Sequence, residues 1–159
     1  MDFTDKIKQN QQEQQKFSLD LHNVIQNNIK INKPLRVGTT PNLLAICGAN
    51  SELDLTISKS VIDKCLKPEV RNKSGKLLGK TGHGLTEKKL LEAIDNIKNP
   101  SIILHGNRHD SLVVVTDLKD SNDRQILVSF LLNKKGNSAE INDITSAYGR
   151  KDFAEYIEK

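Results

Sequence analysis

The sequence predicts an α+β domain, in which helices from the first part of the chain pack on a four-stranded antiparallel sheet formed by the second part. Short apolar segments with helix caps occupy most of the chain before residue 100, and β-rich runs follow it. The connections between the later runs are rich in Asn, Asp, Gly and Ser, which is typical of hairpin loops. With 159 residues, the chain can bury a single core without disulfides or metals. The predicted strands are 102–104, 112–117, 125–132 and 140–147.

Residues 1–33 are predicted to form a helical, glutamine-rich extension or linker, and residues 34–159 the domain itself. Asn10 and Gln14 interrupt the apolar stripe of the predicted helix 3–29. A helix with such a weak seam is typical of a solvated segment or of a connector to a longer polypeptide. The apolar residues at helical spacing are Phe3, Ile7, Phe17, Leu21 and Val24.

Turn and cap residues define the short elements that follow. Thr40 is predicted to cap a helix with Pro41 at its first position, and Gly48 supplies the stop. Ser58 and Thr86 stand at the N-cap positions of two further helices, because their hydroxyls can accept from the first free backbone N–H groups. The predicted elements are strand 35–38, helix 41–47, extended segment 55–57, helix 59–66 and helix 87–97.

The positive charge of the chain is concentrated in one segment. The whole sequence carries +4, whereas residues 59–89 hold nine basic and three acidic side chains, a local charge of +6. A basic segment on a nearly neutral body favours a polyanionic partner. A solvated lysine-rich face without a partner is the alternative. The chain has no tryptophan and few aromatic residues, which disfavours passive binding of single-stranded nucleic acid by base stacking.

The composition also indicates the cellular compartment in which the protein acts. Cys47 and Cys65 show no metal-ligand spacing and are predicted to be free thiols. No apolar run approaches the ~18 residues of a membrane span, and the N-terminus has no signal-peptide pattern. We therefore expect a protein that acts in the cytoplasm and has no membrane partner.

Two motifs that suggest other chemistry fail on their context. The glycine-rich run 75–81 lacks the first glycine of a phosphate loop, because Ser74 stands at that position. His105 and His109 have the i to i+4 spacing of metal ligands, but glycine and asparagine between them disfavour a helix. We expect neither nucleotide hydrolysis nor a bound metal or cofactor.

His83 is the strongest candidate for catalysis. It stands between Gly82 and Gly84, which remove side-chain bulk on either side, and close to the predicted helix that starts after Thr86. Histidine exchanges protons near neutral pH, and the start of a helix favours an anion such as phosphate. A structural or merely exposed histidine is the alternative interpretation.

Hydroxyl and basic side chains are predicted to accompany His83. Strand alternation places Ser146 and Tyr148 on one face of the last strand, and Arg150, a candidate for phosphate binding, follows them. A serine at a sheet edge and a half-buried tyrosine are the alternative for this segment. The loop residues expected to attract phosphates are Arg71, Lys73, Lys76 and Lys80.

Six short motifs occur in order along residues 35–152. They are VGTTP at 37–41, the segment 57–64 beginning Ile-Ser, HGLT at 83–86, Asn-Pro at 99–100, DSLVVVT at 110–116 and the segment 142–148. Their order resembles the phage and polymorphic-toxin nuclease domains of the barnase/EndoU/colicin/RelE-like (BECR) superfamily. Such domains are often found at the C-terminus of phage MuF-type head proteins. The resemblance leaves the N-terminal helix out.

The resemblance implies helices on a four-stranded antiparallel sheet, and RNA cleavage by metal-independent transesterification through the ribose 2′-hydroxyl. His83 would match the family's histidine before the longer helix, and Ser146 and Tyr148 would match its hydroxyls on the last strand. Lys64 would match a basic family position in the second short helix, and Asp110 the polar residue that opens the central strand. The chain has no clear second catalytic histidine to share the acid and base roles.

The resemblance, together with these residues, leads to the hypothesis of an endoribonuclease toxin domain that can be delivered as part of a larger phage or toxin protein. Its substrate would be RNA, and a cognate immunity or antitoxin protein would be a further partner. Two alternatives stay open. The first is a non-enzymatic, phage- or toxin-associated protein-interaction domain of the same fold. The second is an RNA-binding module without chemistry, which the shortage of stacking aromatics disfavours.

Overall fold

One mixed sheet of six strands organises the computed structural model, which describes residues 2–50, 52–76, 82–106, 110–135 and 140–150. The strands lie in the order β1-β2-β6-β5-β4-β3 across the sheet. Of the strands that the structure describes, the last one along the chain therefore lies in the middle of the sheet. The strands are β1 Leu35–Thr39, β2 Asp54–Ile57, β3 Ile102–His105, β4 Ser111–Lys119, β5 Gln125–Lys135 and β6 Glu140–Arg150.

The sheet corrects the prediction of four antiparallel strands. β3 to β6 do form an antiparallel meander, as the hairpin loops indicated. The antiparallel pair β1 and β2 extends it, because β2 pairs in parallel with β6 through Leu55 opposite Asn142 and Ile57 opposite Ile144. This pairing joins segments more than 80 residues apart, so no local pattern in the sequence could indicate it.

Four α-helices accompany the sheet in the described part of the chain. The Ser58 hydroxyl accepts from the N–H of Val61 at 3.3 Å, and the Thr86 hydroxyl accepts from that of Lys89 at 3.1 Å, which confirms both predicted caps. The cap predicted at Thr40 is wrong, because its buried hydroxyl donates across a turn to the Leu53 carbonyl at 2.7 Å. The helices are α1 Phe3–Gln26, α2 Asn42–Ile46, α3 Lys59–Leu66 and α4 Glu87–Asp95.

The main core lies between the helices and one face of the sheet. Each fully buried Leu, Ile or Phe in such a core contributes ~1.5–3 kcal/mol relative to an exposed one. The second half of α1 belongs to this core through Phe17 and Leu21, whereas Phe3 in its first half is 79% exposed. The segment predicted to be an extension thus contains a packed half and a solvated half. Further core side chains are Ile62, Cys65, Leu90, Ile94, Ile126, Val128, Phe130 and Ile144.

A buried amide fixes the junction between β2 and β6. Asn142 is fully buried, and its Nδ2 donates to the Thr40 hydroxyl at 2.8 Å and to the Asn50 carbonyl at 3.0 Å. Its Oδ1 accepts from the N–H of Asn133 at 2.9 Å. Because buried polar groups are costly unless they are paired, these three bonds favour this one arrangement of loop and strands.

A β-bulge in β6 sets which side chains face away from the helices. Ser146 pairs with Ser129, but Ile144 pairs with the next residue of β5, so Thr145 is the extra residue. Ile144 therefore packs in the helix-side core, whereas Tyr148 packs against a small apolar cluster on the other face of the sheet. Without this extra residue, Tyr148 and Ile144 would share a face.

Candidate functional site

Backbone hydrogen bonds hold the His83 segment against the end of α3. The N–H groups of His83 and Leu85 donate to the carbonyls of Lys64 and Cys65 at 3.0 and 2.9 Å, and the N–H of Gly84 donates to that of Lys67 at 2.8 Å. Carbonyls in the last turn of a helix have no partner within the helix. The segment therefore satisfies them and is itself fixed in place.

The two glycines beside His83 each have a physical reason. A Cβ atom at Gly82 would collide with the carbonyl group of Lys67. Gly84 has a φ of +66°, in the left-handed region that glycine adopts without steric cost. The sequence indicated that little side-chain bulk flanks His83. In the structure, the lack of bulk at Gly82 lets the chain approach α3 closely.

The structure brings His83, Ser146 and Tyr148 together. His83 Nε2 lies 2.9 Å from Ser146 Oγ, and the rings of His83 and Tyr148 have their centroids 5.6 Å apart at 39°. Ser146 and Tyr148 are two residues apart on β6, so they share a face, as the strand alternation indicated. The imidazole is thus held by a hydroxyl on one ring nitrogen and by an aromatic ring beside it.

Burial and nearby charge adjust the proton affinity of His83. Burial is the largest cause that lowers the pKa of its imidazole below the ordinary value, and the positive charges of Lys64 and Arg124 lower it further. The carboxylate of Glu69 acts in the opposite direction. The lowered pKa favours the neutral imidazole, which is the form that can accept a proton.

A cluster of ion pairs that the sequence did not predict lies next to His83. Arg124 Nε donates to Asp120 Oδ2 at 2.9 Å, and Arg124 Nη2 pairs with Glu69 Oε1. Glu69 Oε2 also lies 3.5 Å from Arg71 Nη2. Glu69 follows α3 and Arg124 lies in the β4–β5 hairpin, 55 residues away. Only the arrangement of the strands brings them together, so the sequence carried no local signal for the cluster.

A cleft of about 270 Å³ opens beside the imidazole. Glu69, His83 and Gly84 line one part of it, and Ser121 and Asn122 from the β4–β5 hairpin line another. Lys64 in the last turn of α3 has an exposed side chain, and its charge acts on His83. The cleft can therefore admit a small polar group to a partly buried imidazole flanked by cations.

The structure does not bring Asp110 to His83. Asp110 precedes β4, where its carbonyl accepts from the N–H of Leu132 at 2.7 Å. β5 separates β4 from β6, so the two strands lie about 10 Å apart. Across the sheet, Ser146 pairs with Ser129 of β5, and Ser129 pairs with Val113 of β4. Because Asp110 precedes Val113 in the chain, it lies about 10 Å further along the strand direction.

The structure places the predicted phosphate-binding residues in different surroundings. The side chain of Arg71 is 46% exposed, and its Nη1 donates to the Gly75 carbonyl at 2.7 Å while its Nη2 pairs with Glu69. Lys73 and Lys76 are exposed. Arg150 lies at the end of β6, opposite Gln125. The predictions for Lys80 and His109 fall outside the described residues.

Two further properties bear on the kind of site. Among the residues described, no group of three or more His, Cys, Asp or Glu side chains is arranged to hold a metal ion. His105 lies on β3, opposite Leu112. Within the same part of the chain, none of the helices is long and apolar enough to cross a membrane.

Fold and site together define an α+β domain that holds one histidine against a hydroxyl on a central strand. Residues 76–159, more than half of the chain, match the family model for the phage MuF C-terminal domain. The chain belongs to this phage-associated family. Neither a search of curated proteins nor one of solved structures gave a match. The matched residues contain His83, Ser146 and Tyr148 but not α3 or Glu69.

Proposed function

We propose that this domain is a metal-independent endoribonuclease of the BECR superfamily that acts as a phage or toxin effector in the cytoplasm. The observation that carries the proposal is the contact between His83 Nε2 and Ser146 Oγ at 2.9 Å beside an open cleft. The lowered pKa of His83 favours the neutral imidazole, the form that can act as a general base. The partners that this function requires are an RNA substrate and a cognate immunity or antitoxin protein.

In the proposed reaction, a ribose 2′-hydroxyl replaces Ser146 Oγ as the hydrogen-bond partner of His83 Nε2, and Nε2 takes its proton. The 2′-oxygen forms a bond to the adjacent phosphorus, and the bond from phosphorus to the 5′-oxygen of the next nucleotide breaks. The leaving oxygen receives one proton, so the reaction moves a proton from the 2′-hydroxyl to the new 5′-hydroxyl and leaves a 2′,3′-cyclic phosphate. No oxidant, metal or further reactant enters the balance.

Several groups near the cleft can stabilise the charge that develops on the phosphate. The hydroxyls of Ser146 and Tyr148 can donate hydrogen bonds to its oxygens, and Lys64 supplies a positive charge close to the imidazole. Arg150 would act from the end of β6. Preorganised donors of this kind matter most where water is partly excluded, as it is around the half-buried His83.

The direct test is cleavage of total cellular RNA in excess chelator by the wild type and by His83→Ala. We expect the variant to lose about 10²- to 10⁴-fold in rate, the range of a general acid or base. His105→Ala, on β3 at the far edge of the sheet, is the matched control and should cut like the wild type. If His83→Ala cleaves RNA at the wild-type rate, the proposal is wrong.

A non-enzymatic interaction domain is the second candidate. The observation that favours it is the largely exposed first half of α1, in which Phe3 is 79% and Ile7 42% exposed. Such a helix suits a tether or a contact with another protein. Expression of the wild type to high level without any inhibitor, together with intact RNA in the cleavage test, would support this candidate.

A further inference from the structure

A second cleft adjoins the one beside His83. It has a volume of about 440 Å³ and lies between the first turn of α4 and the β4–β5 hairpin. The two clefts share Gly84 and Ser121 in their walls. A chain-like ligand whose reacting group sits at His83 can therefore continue into this second cleft without leaving the surface.

Three lysines from two different elements line the second cleft. Lys88 and Lys89 come from the start of α4, and Lys119 comes from the end of β4. Within the part of the chain that the structure describes, Lys88 makes no ion pair. Lys119 lies 3.5 Å from Asp123, but the Asp123 side chain is 85% exposed, and exposed pairs of this kind are weak.

The acidic residues in the walls are already paired. Asp120 accepts from the guanidinium of Arg124 and from the N–H groups of Asn122 and Arg124 at 2.9 and 3.0 Å. Glu92 lies 3.6 Å from Lys89. The lining therefore carries three lysines against two paired carboxylates, which favours an anion.

We propose that the second cleft binds backbone phosphates of the RNA next to the cleavage point. This inference rests on the proposed function, because it takes RNA as the ligand. The lining residues include lysines and the hydroxyl residues Thr86 and Ser121 but no aromatic side chain. Contacts of this composition recognise phosphates, whereas bases bind single-strand sites by stacking on aromatic rings. The subsite thus positions the strand without reading its sequence.

This surface differs from the one that the sequence suggested. The sequence predicted phosphate binding by the loop 71–80. The first residue of that loop, Arg71, pairs with Glu69, which lines the His83 cleft. The second cleft adjoins the His83 cleft at Gly84 and Ser121, and none of the described residues 71–76 lines it. Lys119 lies 30 residues after Lys89 and outside the basic segment. Lys119 reaches the second cleft because the β4–β5 hairpin lies beside the first turn of α4.

The test measures binding without cleavage. A fluorescent RNA oligonucleotide with 2′-O-methyl riboses cannot undergo the proposed reaction, and its fluorescence anisotropy gives Kd at several salt concentrations. The variant is Lys88→Gln/Lys119→Gln, and the matched control is Lys6→Gln/Lys8→Gln in the exposed first half of α1. Both remove two positive charges from exposed lysines, so a net-charge effect would be equal in the two. Thermal unfolding of each variant checks that the fold is retained.

We expect Lys88→Gln/Lys119→Gln to weaken binding and to lower the slope of log K against log salt by about 1.4, or about 0.7 per lost phosphate contact. The control should keep the wild-type slope. Equal slopes for both variants, or a wild type that does not bind, would overturn the subsite. The two proposals fail separately, since the wild type can bind this oligonucleotide through the lysines even if no RNA is ever cut.

Discussion

At the residue scale, the backbone of His83 is fixed while its ring keeps one open side. Its N–H bonds to the end of α3, and its Nε2 contacts Ser146. Catalytic groups act best when their position is set before substrate arrives. The structure supplies this through backbone bonds and two glycines, so few side chains need to surround the imidazole, and the cleft stays accessible.

The pH dependence of cleavage follows from the direction of the His83 pKa shift. Because burial, Lys64 and Arg124 lower this pKa, the active neutral form is lost only when the pH falls below the ordinary value of about 6.5. Activity should therefore rise with pH along a limb centred below 6.5. It should then stay level through neutral pH.

Charge-removing substitutions should move the His83 pKa in opposite directions. Lys64→Gln removes a positive charge that lowers it, so we expect a higher pKa. Glu69→Gln removes the carboxylate that raises it, so we expect a lower pKa. Titration of the His83 ring protons by NMR measures both changes. Shifts in the same direction for the two variants would contradict the electrostatic account of this site.

At the element scale, α1 divides into two halves with different roles. Phe17, Leu21 and Val24 are buried in the second half. Glu13 marks the boundary, because its carboxylate bonds to Arg36 at 3.2 Å and to the Thr39 hydroxyl at 3.1 Å. Most residues before it are exposed, which fits the glutamine-rich composition noted in the sequence.

Truncation and core substitution should separate the two halves of α1. We expect deletion of residues 2–10 to leave the free energy of unfolding almost unchanged, because this part is largely exposed. Leu21→Ala, at a fully buried position, should cost about 2–5 kcal/mol. Urea unfolding followed by circular dichroism measures both. A large loss on truncation would show that the first half also packs on the domain.

Local signals in the sequence predicted the elements better than their assembly. Ser58 and Thr86 cap the helices where their hydroxyls indicated, and the hairpin loops gave the β3–β6 meander. The parallel pairing of β2 with β6 was not predicted, because Leu55 and Asn142 are adjacent only in the folded sheet. The shared face of Ser146 and Tyr148 followed from strand alternation. The ion pair of Glu69 with Arg124 depends on the whole topology.

At the scale of the whole molecule, β5 and β6 occupy the centre of the sheet and have apolar side chains on both faces. Val128 and Ala147 face the helices, whereas Leu127 packs on the other side. The matched family region supplies β3 to β6 and α4. The segments before it contribute helices α1 to α3 and the carbonyls that hold His83. The candidate site therefore needs both parts of the chain.

Amide hydrogen exchange should reveal this arrangement. We expect the amides of 126–130 and 146–148 to exchange only through global unfolding, with free energies equal to that from urea denaturation. Amides of residues 6–12 in α1 should exchange through local fraying, at far lower free energies. NMR-detected exchange at native conditions measures both sets. Equal protection of the two sets would contradict a core centred on β5 and β6.

The position of β6 has a consequence for synthesis. The first five strands leave the ribosome before β6, yet β2 and β5 contact each other only through it. A nascent chain that stops before residue 140 can form the meander β3–β5 but cannot join it to β2. Ser146 and Tyr148 arrive with the joining strand, so the partner of His83 is absent until then. Partial translation products therefore cannot carry the assembled site.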